Sequence, residues 1–166
     1  RAADILRENG LRRPFVIASR RQCADEHFRA LQEKLDEQDI LLSIFSSVEP
    51  NPSVETVENI AAQYKIDSCG GSPMDAAKAA AARLARPDKP LSQLVGLLKV
   101  RRRIPPLIAV PTTAGTGSET TIAAVVTGSD HHKYAISDLC LIPRYAILDP
   151  ALTVGLPPHI TAETGM

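Results

Sequence analysis

The chain has 166 residues, 44% of them hydrophobic, and carries 19 basic against 19 acidic side chains, a formal net charge of zero. That is one domain of ordinary size, or one half of a larger protein, with enough apolar mass for a core. Balanced charge excludes the electrostatic footprint of a nucleic-acid or anionic-membrane binder, and no apolar run reaches the roughly 18 residues of a membrane helix.

In chain order, Arg12-Arg13-Pro14 leads into a short apolar strand, Phe15-Val16-Ile17-Ala18, and then into Ser19-Arg20-Arg21-Gln22. Phe28, Leu31 and Leu35 recur at helical spacing over residues 24–36, and residues 40–45 read as a second strand. Val48-Glu49-Pro50-Asn51-Pro52 is turn-rich, and Ser53 caps a helix with Thr56, Val57, Ile60 and Ala61 on one side. A third strand is expected over 65–69, although Lys65 and Asp67 suit a central parallel strand poorly. An alanine-rich helix is expected over 73–86, stopped by Pro87, and a helical piece around Leu94, Leu97 and Leu98. Arg101-Arg102-Arg103 reads as a solvated loop or helix end. Strands at 107–110 and 121–127, the turn Gly128-Ser129-Asp130, and a strand over 145–148 complete the series. Strands alternating with helices predict an α/β fold, a Rossmann-like and mostly parallel sheet with helices on both faces.

Ligands of such sheets lie beyond the carboxyl ends of the strands, and two loops of small residues and hydroxyls are expected there. In the first, Gly70-Gly71-Ser72-Pro73-Met74-Asp75, the glycines permit a tight turn, and Ser72, Pro73 and Asp75 occupy N-cap, N1 and N3 of the helix. Asp75 and Lys78, at i,i+3, can pair. The second, Pro111-Thr112-Thr113-Ala114-Gly115-Thr116-Gly117-Ser118-Glu119, follows an apolar strand, and Thr116 with Glu119 reads as a capping box. Both are predicted to present helix N-termini to an anion. Neither is the Gly-x-Gly-x-x-Gly turn after the first strand, nor a Walker loop.

These two motifs, with Pro50-Asn51-Pro52, Asp149-Pro150-x-Leu152-Thr153 and Leu156-Pro157-Pro158, resemble the iron-containing (group III) alcohol dehydrogenase family from about residue 14 to 166. The resemblance implies an N-terminal α/β domain that binds NAD or NADP, here residues 1–156 without its leading strands. It also implies that residues 157–166 begin a helical domain that holds a divalent metal, iron or zinc, in the intact protein. Both ends of the chain read as cut. Gly70, Gly71, Ser72 and Pro73 would hold the pyrophosphate. Thr112, Thr113 and Thr116 would line the adenine and ribose side and the approach to nicotinamide. Asn51 would touch the adenosine half, Lys133 would reach the cofactor ribose, and Leu152 would pack near the cofactor.

The family's metal ligands follow a Gly-Met pair like Gly165-Met166, so no metal ligand and no catalytic residue is assigned within this chain. His27, His131, His132 and His159 are read as surface or structural, since no two form a ligand pair with a nearby carboxylate. Where NAD-using relatives carry an acidic residue, this chain has Arg20 beside Arg21, a tilt toward the 2′-phosphate of NADP. The implied reaction is hydride transfer between NAD(P) and an alcohol/aldehyde pair, with a small alcohol or aldehyde as partner and a homodimer as the intact assembly. A glycerol-dehydrogenase-like or maleylacetate-reductase-like relative and a non-catalytic nucleotide-binding remnant remain alternatives. The polar N-terminus has no signal-peptide core, and three scattered cysteines fit a cytoplasmic protein.

Overall fold

The structure is a computed structural model that describes residues 2–63, 68–69, 73–113 and 115–165. Lys65, Asp67, Gly70, Gly71, Ser72 and Ala114 therefore lie outside the described residues.

Helix α1 (Ala2–Glu8) buries Leu6, and strand β1 (Phe15–Ile17) is buried throughout. After β1 the chain turns helical at once. Ser19 caps α2 (Arg20–Cys23), and Asp25 caps α3 (Glu26–Asp36). The helix expected over 24–36 thus begins two residues late. Asp25 accepts the His27 N–H at 2.9 Å, which restarts the helix at that point.

Strand β2 (Ser43–Phe45) and helix α4 (Val54–Gln63) follow, the latter capped as expected, with the Thr56 N–H donating to Ser53 Oγ at 3.1 Å. Strand β3 (Ser68–Cys69) precedes α5 (Pro73–Ala85), which has Pro73 as its first residue. The helical piece expected around Leu94, Leu97 and Leu98 is only partly present. A 3-10 turn spans Leu91–Leu94, and Gly96–Leu97 forms strand β4. Gly96 at φ 101° and Leu98 at φ 52° leave the right-handed region, so the helical path cannot continue.

Then come β5 (Leu107–Ala109), β6 (Ala123–Thr127), β7 (Lys133–Ser137), a 3-10 turn at Leu139–Leu141, β8 (Tyr145–Ala146), α6 (Ala151–Val154) and α7 (Pro158–Gly165). The main sheet is parallel, in the order β2-β1-β3-β5-β8. A second sheet, β4-β7-β6, is not anticipated by the sequence. Its β6 and β7 are antiparallel around the Gly128 turn, with Thr127 opposite Lys133.

Alternation along β5 divides the core. Leu107 joins Phe15, Ile17, Val57, Ile60 and the alanine face of α5 on one side of the main sheet. Ile108 meets Leu6, Leu35 and Ile40 on the other. Helices therefore cover both faces, as the strand-helix alternation predicts. No described helix is long and apolar enough to cross a membrane.

Candidate cofactor-binding edge

The strand order reverses direction at β1. The chain moves from β1 to β2 on one side, then crosses to β3 on the other. In an open parallel sheet that reversal parts the loops above the carboxyl ends and leaves a crevice for a ligand. The loops after β1 and β5 flank the end of β3, because β3 pairs with both strands.

The loop after β1 is built around Ser19. Its hydroxyl oxygen accepts the Gln22 N–H at 3.3 Å, and its own N–H donates to Gln22 Oε1 at 2.8 Å, a complete capping box. The box sets Arg20 and Arg21 on an exposed turn at the crevice, and neither guanidinium is ion-paired to a described residue. The same Gln22 reaches across and donates from Nε2 to Thr112 Oγ1 at 2.9 Å. Thr112 and Thr113 are half-buried at the end of β5, and Thr116 is exposed.

The loop after β2 lies beside the loop after β1, joined by an antiparallel bridge between Ser19 and Ser47. Glu49 anchors it: Oε1 accepts the Ser53 N–H at 2.8 Å and the Thr56 hydroxyl at 2.7 Å. Burial works to raise the Glu49 carboxyl, but these hydrogen bonds prevail and hold it below the ordinary glutamate value. Asn51 is thereby presented to solvent at φ 56°. Its carbonyl accepts the Thr127 hydroxyl at 3.4 Å, and Pro52 O accepts the Thr127 N–H at 2.9 Å. Since Thr127 pairs with Lys133, the fold brings Asn51 and the exposed Lys133 to one end of the β6–β7 hairpin. Leu152 sits on α6, beyond the carboxyl end of β8, at the opposite side of the strand order from Asn51.

The helix expected at Thr116 does not form. Residues 118–120 make a turn instead, with the Thr120 N–H and hydroxyl both donating to Gly117 O at 2.9 Å. Gly115 and Gly117 take left-handed φ values of 91° and 62°, which a helix start does not tolerate. Lys78 removes the acceptors a helix would need. Its Nζ donates to Ser118 O at 2.6 Å, Thr121 O at 2.8 Å, Thr121 Oγ1 at 2.9 Å and Ala123 O at 3.1 Å. Lys78 is 1% exposed. Burial pushes its ammonium below the ordinary lysine value, against the pull of Asp75 and Glu119. The expected Asp75–Lys78 pairing is thus a charge attraction, while the lysine's hydrogen bonds go to the 118–123 backbone. Burial raises the Asp75 carboxyl, although a hydrogen bond from the Val125 backbone and the Lys78 charge oppose it.

The edge therefore combines a switch-point crevice, two exposed arginines, hydroxyls and a glycine-bearing loop. The family model described as iron-containing alcohol dehydrogenase matches residues 1–150. The chain belongs to the iron-containing alcohol dehydrogenase family. The choline dehydrogenase of Bacillus subtilis (strain 168) is 39% identical over 144 residues, 81% of this chain and 36% of that protein. The structure of an alcohol dehydrogenase from Oenococcus oeni superposes with a TM-score of 0.90 at 29% identity, covering 99% of this chain and 45% of that one. A sulfoacetaldehyde reductase from Bifidobacterium kashiwanohense, solved in complex with NAD+, superposes with a TM-score of 0.76 at 32% identity, covering 98% of this chain and 45% of that one. This family member spans less than half the length of these relatives.

Three residues that organise the family member's edge are missed by motif reading. Gln22 carries a legible signal, because Ser19-x-x-Gln22 fits the capping-box pattern. Glu49 and the clamping role of Lys78 carry none, since their partners are set by tertiary packing. Among the described residues, no group of three or more His, Cys, Asp or Glu could hold a metal ion.

Proposed function

We propose that this protein supplies the nucleotide-binding side of an NAD(P)-dependent interconversion of an alcohol and an aldehyde. The observation that carries the reading is the crevice at the β1/β3 reversal, flanked by Arg20, Gln22 and Thr112 and built on a sheet shared with the NAD+-bound reductase. Its donor set suits an anionic dinucleotide: exposed guanidiniums on one loop, hydroxyls on the next, and the amino end of α5 behind them.

We assign the residue roles on the family resemblance. Arg20 and Arg21 are positioned to meet a 2′-phosphate, which favours NADP over NAD. Gly70, Gly71, Ser72 and Pro73 hold the pyrophosphate at the start of α5. Asn51 and Lys133 meet the adenosine and ribose groups, Thr112, Thr113 and Thr116 line the adenine and ribose side and the approach to nicotinamide, and Leu152 packs near the cofactor. A divalent metal such as iron or zinc supplies Lewis acidity to the alcohol oxygen in chemistry of this kind. Among the described residues no group of three or more His, Cys, Asp or Glu fits such a metal. We assign residues 1–156 to the nucleotide domain and 157–166 to the start of a helical one, in a cytoplasmic homodimer.

Titration of the purified protein with NADPH and with NADH, followed by nucleotide fluorescence, tests the reading. Both should bind, NADPH more tightly, and Arg20→Ala should narrow the difference. Absence of binding to either nucleotide rejects the reading, and clear preference for NADH rejects the NADP assignment. Light scattering tests the dimer.

A further inference from the structure

The carboxamide of Gln22 can be oriented from elementary chemistry. A backbone N–H only donates, so the Gln22 atom facing the Ser19 N–H at 2.8 Å must be the carbonyl oxygen. The Ser19 hydroxyl donates to the same oxygen at 3.0 Å. The amide NH2 is then forced toward Thr112, where it donates to Oγ1 at 2.9 Å.

That direction has a consequence for the threonine. With its oxygen accepting from Gln22, the Thr112 hydroxyl keeps its hydrogen for another acceptor, and Gln22 keeps a second N–H. Neither hydrogen is engaged by a described residue. The bridge joins loops 90 residues apart across the end of β3, which lies between β1 and β5. The spot therefore offers two donor hydrogens not engaged by described residues, above the end of β3.

We infer that Gln22 is a positioning residue that sets Thr112 as a hydrogen-bond donor to a pyrophosphate oxygen of the nucleotide. The inference rests on the dinucleotide reading above. It goes beyond that reading in naming a side chain outside both glycine-rich loops and the direction of its hydrogen bonds.

Substitution separates this role from simple loop bracing. Gln22→Glu keeps the length but makes the side chain acceptor-only. The Thr112 hydrogen turns back onto the carboxylate, and a negative charge faces the pyrophosphate. It should weaken NADPH binding about tenfold or more, and Gln22→Ala by roughly threefold, since hydrogen bonds to charged groups carry the larger share. ADP, which has the pyrophosphate without nicotinamide, should lose as much as NADPH. In a Thr112→Val background, Gln22→Ala should cause no further loss. Urea unfolding of each variant gives the structural control, because bracing alone would lower both midpoints alike and leave Gln22→Glu binding no worse than Gln22→Ala. The inference is overturned if Gln22→Glu binds NADPH and ADP as tightly as the unsubstituted protein. It is also overturned if the Gln22→Ala and Thr112→Val penalties add in full. If the unsubstituted protein binds neither nucleotide, the dinucleotide reading itself fails and this one with it. If it binds and the variants match it, only the Gln22 role fails.

Discussion

Lys78 holds Thr121 twice, donating from one ammonium to its carbonyl at 2.8 Å and to its hydroxyl at 2.9 Å. With Ser118 O and Ala123 O also engaged, α5 grips the segment leading into β6. Lys78→Met fills much of the same volume but removes the ammonium donor from three backbone carbonyls, leaving Ser118 O and Ala123 O only the Thr121 hydroxyl at 3.4 and 3.5 Å; a carbonyl left buried and unpaired costs about 1–3 kcal/mol. Urea unfolding should show a loss of several kcal/mol, about the lower end of a domain's whole stability. Limited proteolysis should cut within residues 112–121 earlier than in the parent, because that segment loses its anchor. An unchanged cleavage pattern would argue that the loop is held by other contacts.

Asp138 makes a second anchor. It is 4% exposed, and its Oδ2 accepts the N–H groups of Val100 at 3.1 Å and Arg101 at 2.9 Å. Its Oδ1 accepts the Cys140 N–H at 3.3 Å. Burial alone would raise this carboxyl, yet the hydrogen bonds from Arg101, Cys140 and Val100 prevail and hold it below the ordinary aspartate value. A depressed folded value means that the carboxylate's stabilisation is fully present above the unfolded value near 3.9 and is lost as pH falls through the folded one. The urea midpoint should therefore fall on acidification below about pH 4. Asp138→Asn should begin about 1–3 kcal/mol lower at neutral pH and show a flatter acid limb. Parallel acid limbs would rule Asp138 out as the titrating group.

Cys140 lies beside that carboxylate and is pushed up to about 11, by burial first and by Asp138 next. At pH 8 its thiolate fraction is about two orders of magnitude below that of an ordinary thiol near 8.5. Iodoacetamide labelling read by peptide mass spectrometry should find Cys140 nearly inert at pH 8. Labelling should become faster in Asp138→Asn, and fast labelling of the parent would contradict this electrostatic account.

Helix α5 packs by virtue of being thin. Ala76, Ala79 and Ala82 are 0% exposed, so the helix approaches α4 and β6 closely. Ala79→Leu adds three carbons where no space exists and should cost about 1–3 kcal/mol. For a chain of this size that is a drop of roughly 3–10 °C in Tm. A melting temperature at or above the parent's would mean that the α4–α5 interface can open without loss.

The elements legible in the sequence are those whose signal is local. β1 and β5 are contiguous apolar runs next to prolines, and α5 is an alanine helix with Pro73 at its start and Pro87 beyond its end. Of the candidate edge, the position of the loop after β5 was legible, because a parallel sheet carries its loops to one side; residues 70–72 lie outside the described residues. The misreadings are cases where a distant partner overrode a local pattern. Thr116 and Glu119 satisfy the spacing of a capping box, but Lys78, 40 residues upstream of Ser118, claims the carbonyls. β7 is half-polar and becomes a strand through pairing with β6. The Gln22–Thr112 bridge has half of its chemistry in a capping box and half in a loop 90 residues away.

The strand order also bears on when the crevice comes into being. Every neighbour in the main sheet is a parallel partner, so each pairing waits for a crossover to close. During synthesis at about 5–20 residues per second, β1 and β2 emerge well before β5 can deliver Thr112. On the proposed reading, a nucleotide would meet only the loops that precede β5 on the early chain, and the full crevice only once β5 has paired with β3. The stabilisation from a bound nucleotide would then fall mainly on the finished sheet, where it slows unfolding more than it speeds refolding.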